Sequence, residues 1–220
     1  MSYYDRVRRE ITPLLPPSAE RILDIGAGSG ATLRWLKTIY PKSQTTGVEI
    51  NPELHQMLET NADNTIIGDV DTCWPKLQTY DLVLLLDVLE HLTNPEGTLK
   101  KLAARLNAGG SIIVSVPNIS HLSVSVPLLL RRRFSYTDAG ILDRTHLRFF
   151  VEETAVDLLN SSNLQVMKGV VSGFAGPKSN FVDRISFGLL RHHLAKQYIM
   201  LGRPAGERLI QRRVRWSTAP

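Results

Sequence analysis

The chain has 220 residues, of which 43% are hydrophobic and 21% are charged. This length and composition are typical of one globular domain with its own core and exclude wholesale disorder. A single cysteine, Cys73, excludes an intrachain disulfide and a cysteine-rich metal site. The charged N-terminal sequence and the short apolar runs predict neither a secretory signal nor a membrane-spanning helix. We therefore expect a cytoplasmic protein.

The net charge of +5 is concentrated at the C-terminus, because residues 196–220 carry six basic residues and one acidic residue. Residues 1–195 hold equal numbers of each sign and offer no basic face, so we expect no nucleic-acid partner. We interpret residues 204–220 as a solvated basic tail. Contact between this tail and an anionic membrane surface is the alternative.

Short apolar runs alternate with helical patterns along most of the chain. This alternation predicts an α/β fold, a doubly wound and mostly parallel sheet with helices on both faces. The glycines of residues 107–110 are expected to end a helix. The patterns predict strands at 21–25, 44–50, 65–68, 80–86, 111–116, 164–172 and 194–202. They predict helices within 1–20 and at 31–40, 94–106, 152–160 and 181–192, and a helix start at 51–53.

A glycine-rich turn joins the first predicted strand to the first helix of this alternation. Residues 24–30 read Asp-Ile-Gly-Ala-Gly-Ser-Gly, and Glu49 ends the next strand. Glycines let a ligand approach the backbone at the positive end of a helix, and a carboxylate in this position can accept both hydroxyls of a ribose. The spacing differs from the Gly-x-Gly-x-x-Gly turn that binds a pyrophosphate. The combination predicts a nucleoside-type ligand.

Four segments together resemble class I S-adenosylmethionine-dependent methyltransferases. They are residues 22–30, 47–51, 68–70 and 80–91, the last ending in Asp87-Val-Leu-Glu-His91. The resemblance implies S-adenosyl-L-methionine as the cofactor. It also implies a Rossmann-like sheet of seven strands whose last strand, near 195–202, is antiparallel to the others.

The resemblance further implies which residues contact the cofactor. The glycine turn is expected against its methionine part, with Asp24 supporting the turn and Asp87 near the amino acid end. Glu49 is expected on the ribose and Asp69 on the adenine amino group. The full expected set is Asp24, Gly26, Gly28, Gly30, Glu49, Ile50, Asp69, Val70 and Asp87.

Residues 118–149 are too long for a plain connection and are expected to form a substrate cap within a methyltransferase domain of residues 1–203. Residues 117–121 and 140–150 resemble a bacterial subset of the family that is often associated with cell-surface polysaccharide and other secondary pathways. Polar groups of the segment are suited to holding an acceptor, although they can equally pin the loop. They are His121, Asp143, Arg144 and His146, interleaved with Phe134, Tyr136 and Phe149.

An alcohol or amine acceptor must lose a proton during methyl transfer, so we expect a base near the methyl group. His146 and His91 are the candidates because histidine titrates near neutral pH, and a scaffold role is the alternative for each. The cluster Asp87-x-x-Glu90-His91 resembles one that holds a divalent metal in some ubiquinone-pathway and small-RNA O-methyltransferases. Because Glu-His is also frequent here in metal-free relatives, we expect no metal.

These observations favour an enzyme that methylates a small molecule or a glycan, most simply on oxygen. Two alternatives stay open: a catalytically inactive S-adenosylmethionine-binding partner protein, and a nicotinamide-dependent Rossmann oxidoreductase. The glycine spacing and Asp69 disfavour the oxidoreductase. The sequence leaves the acceptor and the oligomeric state open.

Overall fold

A computed structural model describes residues 5–173, 183–186, 190–206 and 214–219. Its strands are β1 (Arg21–Ile25), β2 (Gln44–Glu49), β3 (Asn64–Ile67), β4 (Tyr80–Leu86), β5 (Leu106–Pro117), β6 (Leu164–Ser172), β7 (Gln197–Pro204) and β8 (Trp216–Thr218). They form one eight-stranded sheet in the order β3-β2-β1-β4-β5-β7-β6-β8. The strand order reverses beside β1, as it does in doubly wound sheets.

The first five strands pair in parallel, and β7 runs antiparallel to both β5 and β6. The antiparallel strand near 195–202 is therefore confirmed, whereas the expected count of seven is wrong because β8 adds an eighth strand parallel to β6. Three residues are too short to show a strand period. Instead β8 is fixed by side chains: Gly169 leaves room for the Trp216 ring, and the indole N–H donates to Glu152 Oε1 at 2.6 Å.

The described helices are α1 (Ala31–Ile39), α2 (His55–Asn61), α3 (Pro95–Ala103), α4 (Leu122–Arg131), α5 (Glu152–Ser161) and α6 (Arg191–Leu194). Two sequence-based expectations differ from this. The helix expected within residues 1–20 is a short 3-10 helix at Arg9–Leu14, where Pro13 cannot supply an N–H to an α-helix. Residues 107–110 begin β5 rather than end a helix, with the strand register shifting between Tyr80 and Leu82. Residues 181, 182 and 187–189 of another expected helix lie outside the described residues.

The core lies on both faces of the sheet, because successive strand residues point to opposite faces. Leu23 and Val83 belong to one buried cluster, whereas Ile22 and Leu82 belong to another. Burial on both faces explains why β4 is a continuous apolar run rather than an alternating one.

The parallel strands bring five connections to the carboxyl edge of the sheet. These are the turn after β1, the residues that follow β2, β3 and β4, and residues 118–149 after β5. Open α/β sheets bind their ligands at this edge. Among the described residues, no helix is both long and apolar enough to cross a membrane.

Candidate functional site

A cleft of about 1640 Å³ lies at the carboxyl edge of the sheet. A smaller depression of about 220 Å³ lies beside the amino ends of β1 and β2 and is lined by Arg21 and Gln44. The large cleft has the position expected for a ligand. It is lined by most of the residues that the sequence predicts for the site: Asp24, Gly26, Gly28, Glu49, Ile50, Asp69, Val70, Asp87, His91 and His146.

The backbone of the glycine turn is shaped to let another group approach closely. Gly26, Gly28 and Gly30 have φ of +73°, +56° and +79°, which is the left-handed region that other residues rarely adopt. A Cβ at Gly26 would lie 2.6 Å from Val88 Cγ2, so the turn has no room for a side chain there. Gly30 precedes α1 and, unlike the other two glycines, is not part of the cleft lining.

Glu49 connects this turn to the loop after β2. Its buried carboxylate accepts hydrogen bonds from the N–H of Gly28 at 2.8 Å and from the N–H of Asn51 at 2.9 Å. A carboxylate offers about four acceptor positions. Two backbone donors therefore hold Glu49 in place and leave acceptor capacity for the hydroxyls of a sugar.

Asp24, Asp69, Val70 and Ile50 surround the same end of the cleft. Burial raises the pKa of Asp24 to about 7, with Arg8 opposing this shift and Glu49 adding to it. Asp69 is exposed and accepts a hydrogen bond from the N–H of Asp71, whereas Val70 is buried and Ile50 lies at the rim. An exposed acid beside a buried valine can meet the polar edge and the flat face of a base.

Asp87 follows β4 with a φ of +61° and is held by three side chains. It accepts hydrogen bonds from the guanidinium of Arg8 at 2.9 Å, from the Ser115 hydroxyl at 2.6 Å and from the Gln197 amide at 2.8 Å. Neither Arg8 nor Gln197 is predicted for the site from the sequence. Arg8 follows no local motif, and Gln197 reaches the site only through the antiparallel pairing of β7 with β5.

Glu90 also lines the cleft, although the sequence-based prediction named it only in a possible metal cluster and not among the site residues. Its carboxyl group is wholly buried in the cleft wall, and neither oxygen has a hydrogen-bond partner among the described residues. Burial, reinforced by the nearby charge of Asp87, raises the pKa of Glu90 well above its ordinary value. Burial therefore favours the protonated form of this carboxyl group. Its place beside His91 in the Asp87–His91 segment is the signal that could have identified it.

His91 and His146 meet at the cleft, with ring centroids 4.8 Å apart. The Nδ1 atom of His91 lies 3.3 Å from the carbonyl oxygen of Thr145, and that of His146 lies 3.1 Å from the carbonyl oxygen of Ile141. A carbonyl only accepts, so the contact with Ile141 places the hydrogen of His146 on Nδ1 and leaves a lone pair on its Nε2. Burial lowers the pKa of His146 below 6.5, so its imidazole is neutral at neutral pH.

Three side chains have the geometry to hold a metal ion. One ligand atom each from Glu90, His91 and His146 lies within 4.8 Å of the others. Two imidazoles and a carboxylate suit a transition metal, provided that Glu90 ionises. Asp87 is not a member of this set. The expectation of no metal stays a prediction.

The remaining polar residues of the 118–149 segment mostly organise the segment itself. His121 accepts a hydrogen bond from the N–H of Ser123 and caps α4, away from the cleft lining. Asp143 accepts two hydrogen bonds from Thr145, which lower its pKa, and Arg144 pairs with Asp138 at 2.7 Å. The three interleaved aromatic rings contact one another, and none of them lines the cleft: Phe134, Tyr136 and Phe149.

A family model described as a methyltransferase domain matches residues 2–168. Malonyl-[acyl-carrier protein] O-methyltransferase of Anoxybacillus flavithermus is 30% identical over 46% of this chain and 39% of its own length. Ubiquinone biosynthesis O-methyltransferase of Xanthomonas axonopodis is 24% identical over 49% of this chain and 47% of its own length. The chain thus spans less than half the length of these two relatives.

Solved structures share the fold. A SAM-dependent methyltransferase from Archaeoglobus fulgidus has a TM-score of 0.64 at 18% identity and covers 87% of this chain and 90% of its own. Magnesium protoporphyrin IX methyltransferase from Synechocystis, solved with bound SAH, has a TM-score of 0.58 at 15% identity and covers 87% of this chain and 77% of its own. At such identities the similarity shows the fold alone.

Proposed function

Because this chain belongs to the class I S-adenosylmethionine-dependent methyltransferases, we propose that it transfers a methyl group to an oxygen atom of a small molecule or glycan. The observation that carries the proposal is the meeting of two elements in one cleft. One is the glycine turn with Glu49, and the other is the imidazole pair of His91 and His146.

The cofactor fits the groups at the β1–β3 end of the cleft. The turn at Gly26 and Gly28 admits a ligand against its backbone, and Glu49 keeps acceptor capacity for the ribose hydroxyls. We assign Asp69 to the adenine amino group, Val70 and Ile50 to the flanks of the ring, and Asp87 to the amino acid end. We assign Asp24 and Gly30 to supporting the conformation of the glycine turn.

The acceptor belongs beside His146, on the side of the cleft formed by residues 118–149. When bound, the cofactor supplies an activated methyl group on a sulfonium sulfur. Held by the glycine turn and Glu49, it would give this methyl group to the acceptor oxygen and keep the electron pair of the C–S bond on sulfur. The neutral His146 takes the hydroxyl proton on Nε2, and the carbonyl of Ile141 stabilises the resulting cation at Nδ1. His91 buttresses the ring of His146 edge to face.

Oxygen is favoured as the methylated atom because both named relatives are O-methyltransferases. A tetrahydroprotoberberine N-methyltransferase from Eschscholzia californica, 24% identical over 70% of this chain, keeps nitrogen as the second candidate. We place the reaction in the cytoplasm, with no nucleic-acid partner because residues 1–195 are neutral. Residues 207–213 and 220 of the basic tail lie outside the described residues, and its membrane contact remains a proposal.

The test is a screen with methyl-labelled S-adenosylmethionine against phenols, catechols, saccharides, carboxylic acids and amines. We expect label to transfer to a hydroxyl-bearing class, and to fail with His146→Ala although the variant still binds the cofactor. The control is His55→Ala, which removes a histidine from the surface of α2. Cofactor binding without transfer to any class would instead support an inactive binding partner, and label on amines alone would replace oxygen with nitrogen.

A further inference from the structure

The outer face of α4 is apolar, where the solvent side of a surface helix is normally polar. Leu122, Val126, Leu129 and Leu130 follow one stripe of this helix at spacings of four, three and one residues. Their side chains are 40%, 42%, 80% and 74% exposed. A stripe of four exposed aliphatic residues on one helix marks an interaction site rather than a solvated face.

A run of cations follows directly on this stripe. Arg131, Arg132 and Arg133 are all exposed, and none of them forms an ion pair with a described carboxylate. No aspartate or glutamate occurs between residues 97 and 137. Exposed Phe134 and Tyr136 continue the surface. Leucines and aromatic rings beside unpaired arginines are typical of a helix that lies in the interface of an anionic bilayer.

The opposite flank of the same helix belongs to the cleft. Ser123, Val124 and Pro127 line it, and Val124 is 5% exposed, whereas Arg131 and Arg133 lie where the cleft meets the cationic surface. Helix α4 therefore separates the acceptor side of the cleft from the apolar stripe on its outer face. A surface bound to that stripe lies next to the place where the acceptor enters.

We propose that α4 docks this protein on an anionic lipid membrane, so that the acceptor is a molecule held at or in that membrane. The first half of this inference stands on α4 alone, and the second half rests on the proposed function. The positive charge of the three arginines favours an anionic membrane over a second copy of the chain as the binding partner of α4. A second copy paired through α4 would place two unneutralised runs of three arginines in one contact, whereas anionic headgroups neutralise them.

Sedimentation with lipid vesicles tests the docking without any acceptor. We expect the full chain to bind vesicles of phosphatidylcholine with phosphatidylglycerol and to bind pure phosphatidylcholine far more weakly. Arg131→Gln/Arg132→Gln/Arg133→Gln should weaken binding on the order of 100-fold. Its matched control removes three exposed charges elsewhere, Arg34→Gln/Lys42→Gln/Lys76→Gln, and should retain most of the binding.

A second pair of variants tests the apolar stripe. Leu129→Glu/Leu130→Glu should weaken vesicle binding at least about 10-fold, whereas Met57→Glu, at an exposed apolar position of α2, should not. Leu129 and Leu130 do not line the cleft, so the double variant should bind S-adenosylmethionine as the wild type does. Wild-type affinity for S-adenosylmethionine would show that the double variant is folded. The same measurement tests the proposed function separately from the docking.

Three results would overturn the inference. One is equal binding to neutral and anionic vesicles, and another is anionic binding that survives both α4 variants. The third is a dimer in solution that Leu129→Glu/Leu130→Glu dissociates while the wild type ignores vesicles, since a second copy would then cover the stripe.

Discussion

The two halves of the cleft are built in different ways. The glycine-turn end of the cofactor half is held by backbone groups, as in the hydrogen bond from the N–H of Gly28 to Glu49, whereas Asp87 at its other end is held by the distant side chains of Arg8 and Gln197. The acceptor half is held by side chains distant in sequence, as in the approach of His91 to Thr145 and the bonds from Arg148 to the carbonyls that follow His91. A short sequence motif encodes the glycine turn. The arrangement of the acceptor half depends instead on how the 118–149 segment folds over β4.

This contrast predicts that substitutions in the two halves of the cleft have different effects. Changes in the cofactor half should alter the affinity for S-adenosylmethionine, and changes in the acceptor half should alter turnover alone. Substitutions in each half test this expectation, with activity measured on the acceptor class found by the screen.

The largest effect is expected for His146→Ala, which should lower turnover by ~10²–10⁴-fold because the base is lost. Cofactor affinity from calorimetry should stay within about a factor of two. In the wild type, the rate should fall as the pH drops through the pKa of His146, which lies below 6.5, because protonation removes the lone pair. Equal losses of turnover and cofactor affinity would mean that His146 is scaffold.

Gly26→Ala should weaken cofactor binding by about 2–4 kcal/mol, because the new Cβ meets Val88 and the left-handed backbone becomes strained. The matched control is Gly109→Ala, at a φ of +79° with open space around it and no place in the cleft. Both variants carry backbone strain, and Gly26→Ala adds the contact with Val88, so thermal unfolding should show the larger destabilisation in Gly26→Ala. Equal cofactor affinity of the two variants would contradict the proposed difference between the cofactor half and the acceptor half.

Glu49→Ala should weaken cofactor binding by about 1–3 kcal/mol, the range for a lost hydrogen bond to a charged group. Calorimetry with S-adenosylmethionine measures it, and Glu53→Ala, an exposed acid at the start of the next helical turn, is the control. Unchanged affinity in Glu49→Ala would remove Glu49 from the ribose site.

The smallest effect is expected for Glu90→Gln, which replaces a carboxyl group whose pKa is raised by burial with a neutral amide of similar shape. The raised pKa of Glu90 means that the wild type loses stability as the pH rises above about 4.5, where the unfolded chain ionises. The melting temperature of Glu90→Gln relative to the wild type should therefore rise from about pH 5 to about pH 8.

Turnover of Glu90→Gln should stay near that of the wild type, and a chelator should leave both enzymes active. Loss of activity with the chelator, restored by a transition metal, would show instead that the group of Glu90, His91 and His146 holds an ion.

The parts of the molecule that the sequence predicted are those encoded locally. The glycine turn, Glu49 at the end of β2 and the apolar run of β4 each depend on neighbouring residues, so a short window is enough to identify them. The antiparallel direction of β7 came from the family resemblance, because one apolar run carries no direction.

The parts that the sequence missed depend on long-range contacts. Arg8 and Gln197 converge on Asp87 from opposite ends of the chain, and β8 is fixed by Trp216 contacts rather than by its own three residues. His121 shows the converse, because its residue type fitted an acceptor site whereas its position makes it the cap of α4.

A crystal structure with S-adenosylhomocysteine tests the central claim most directly. We expect the ribose on Glu49, the adenine beside Val70 and Asp69, and the sulfur facing the space next to His146. A ligand bound in the depression beside Arg21 and Gln44, or a sulfur turned away from His146, would contradict the account.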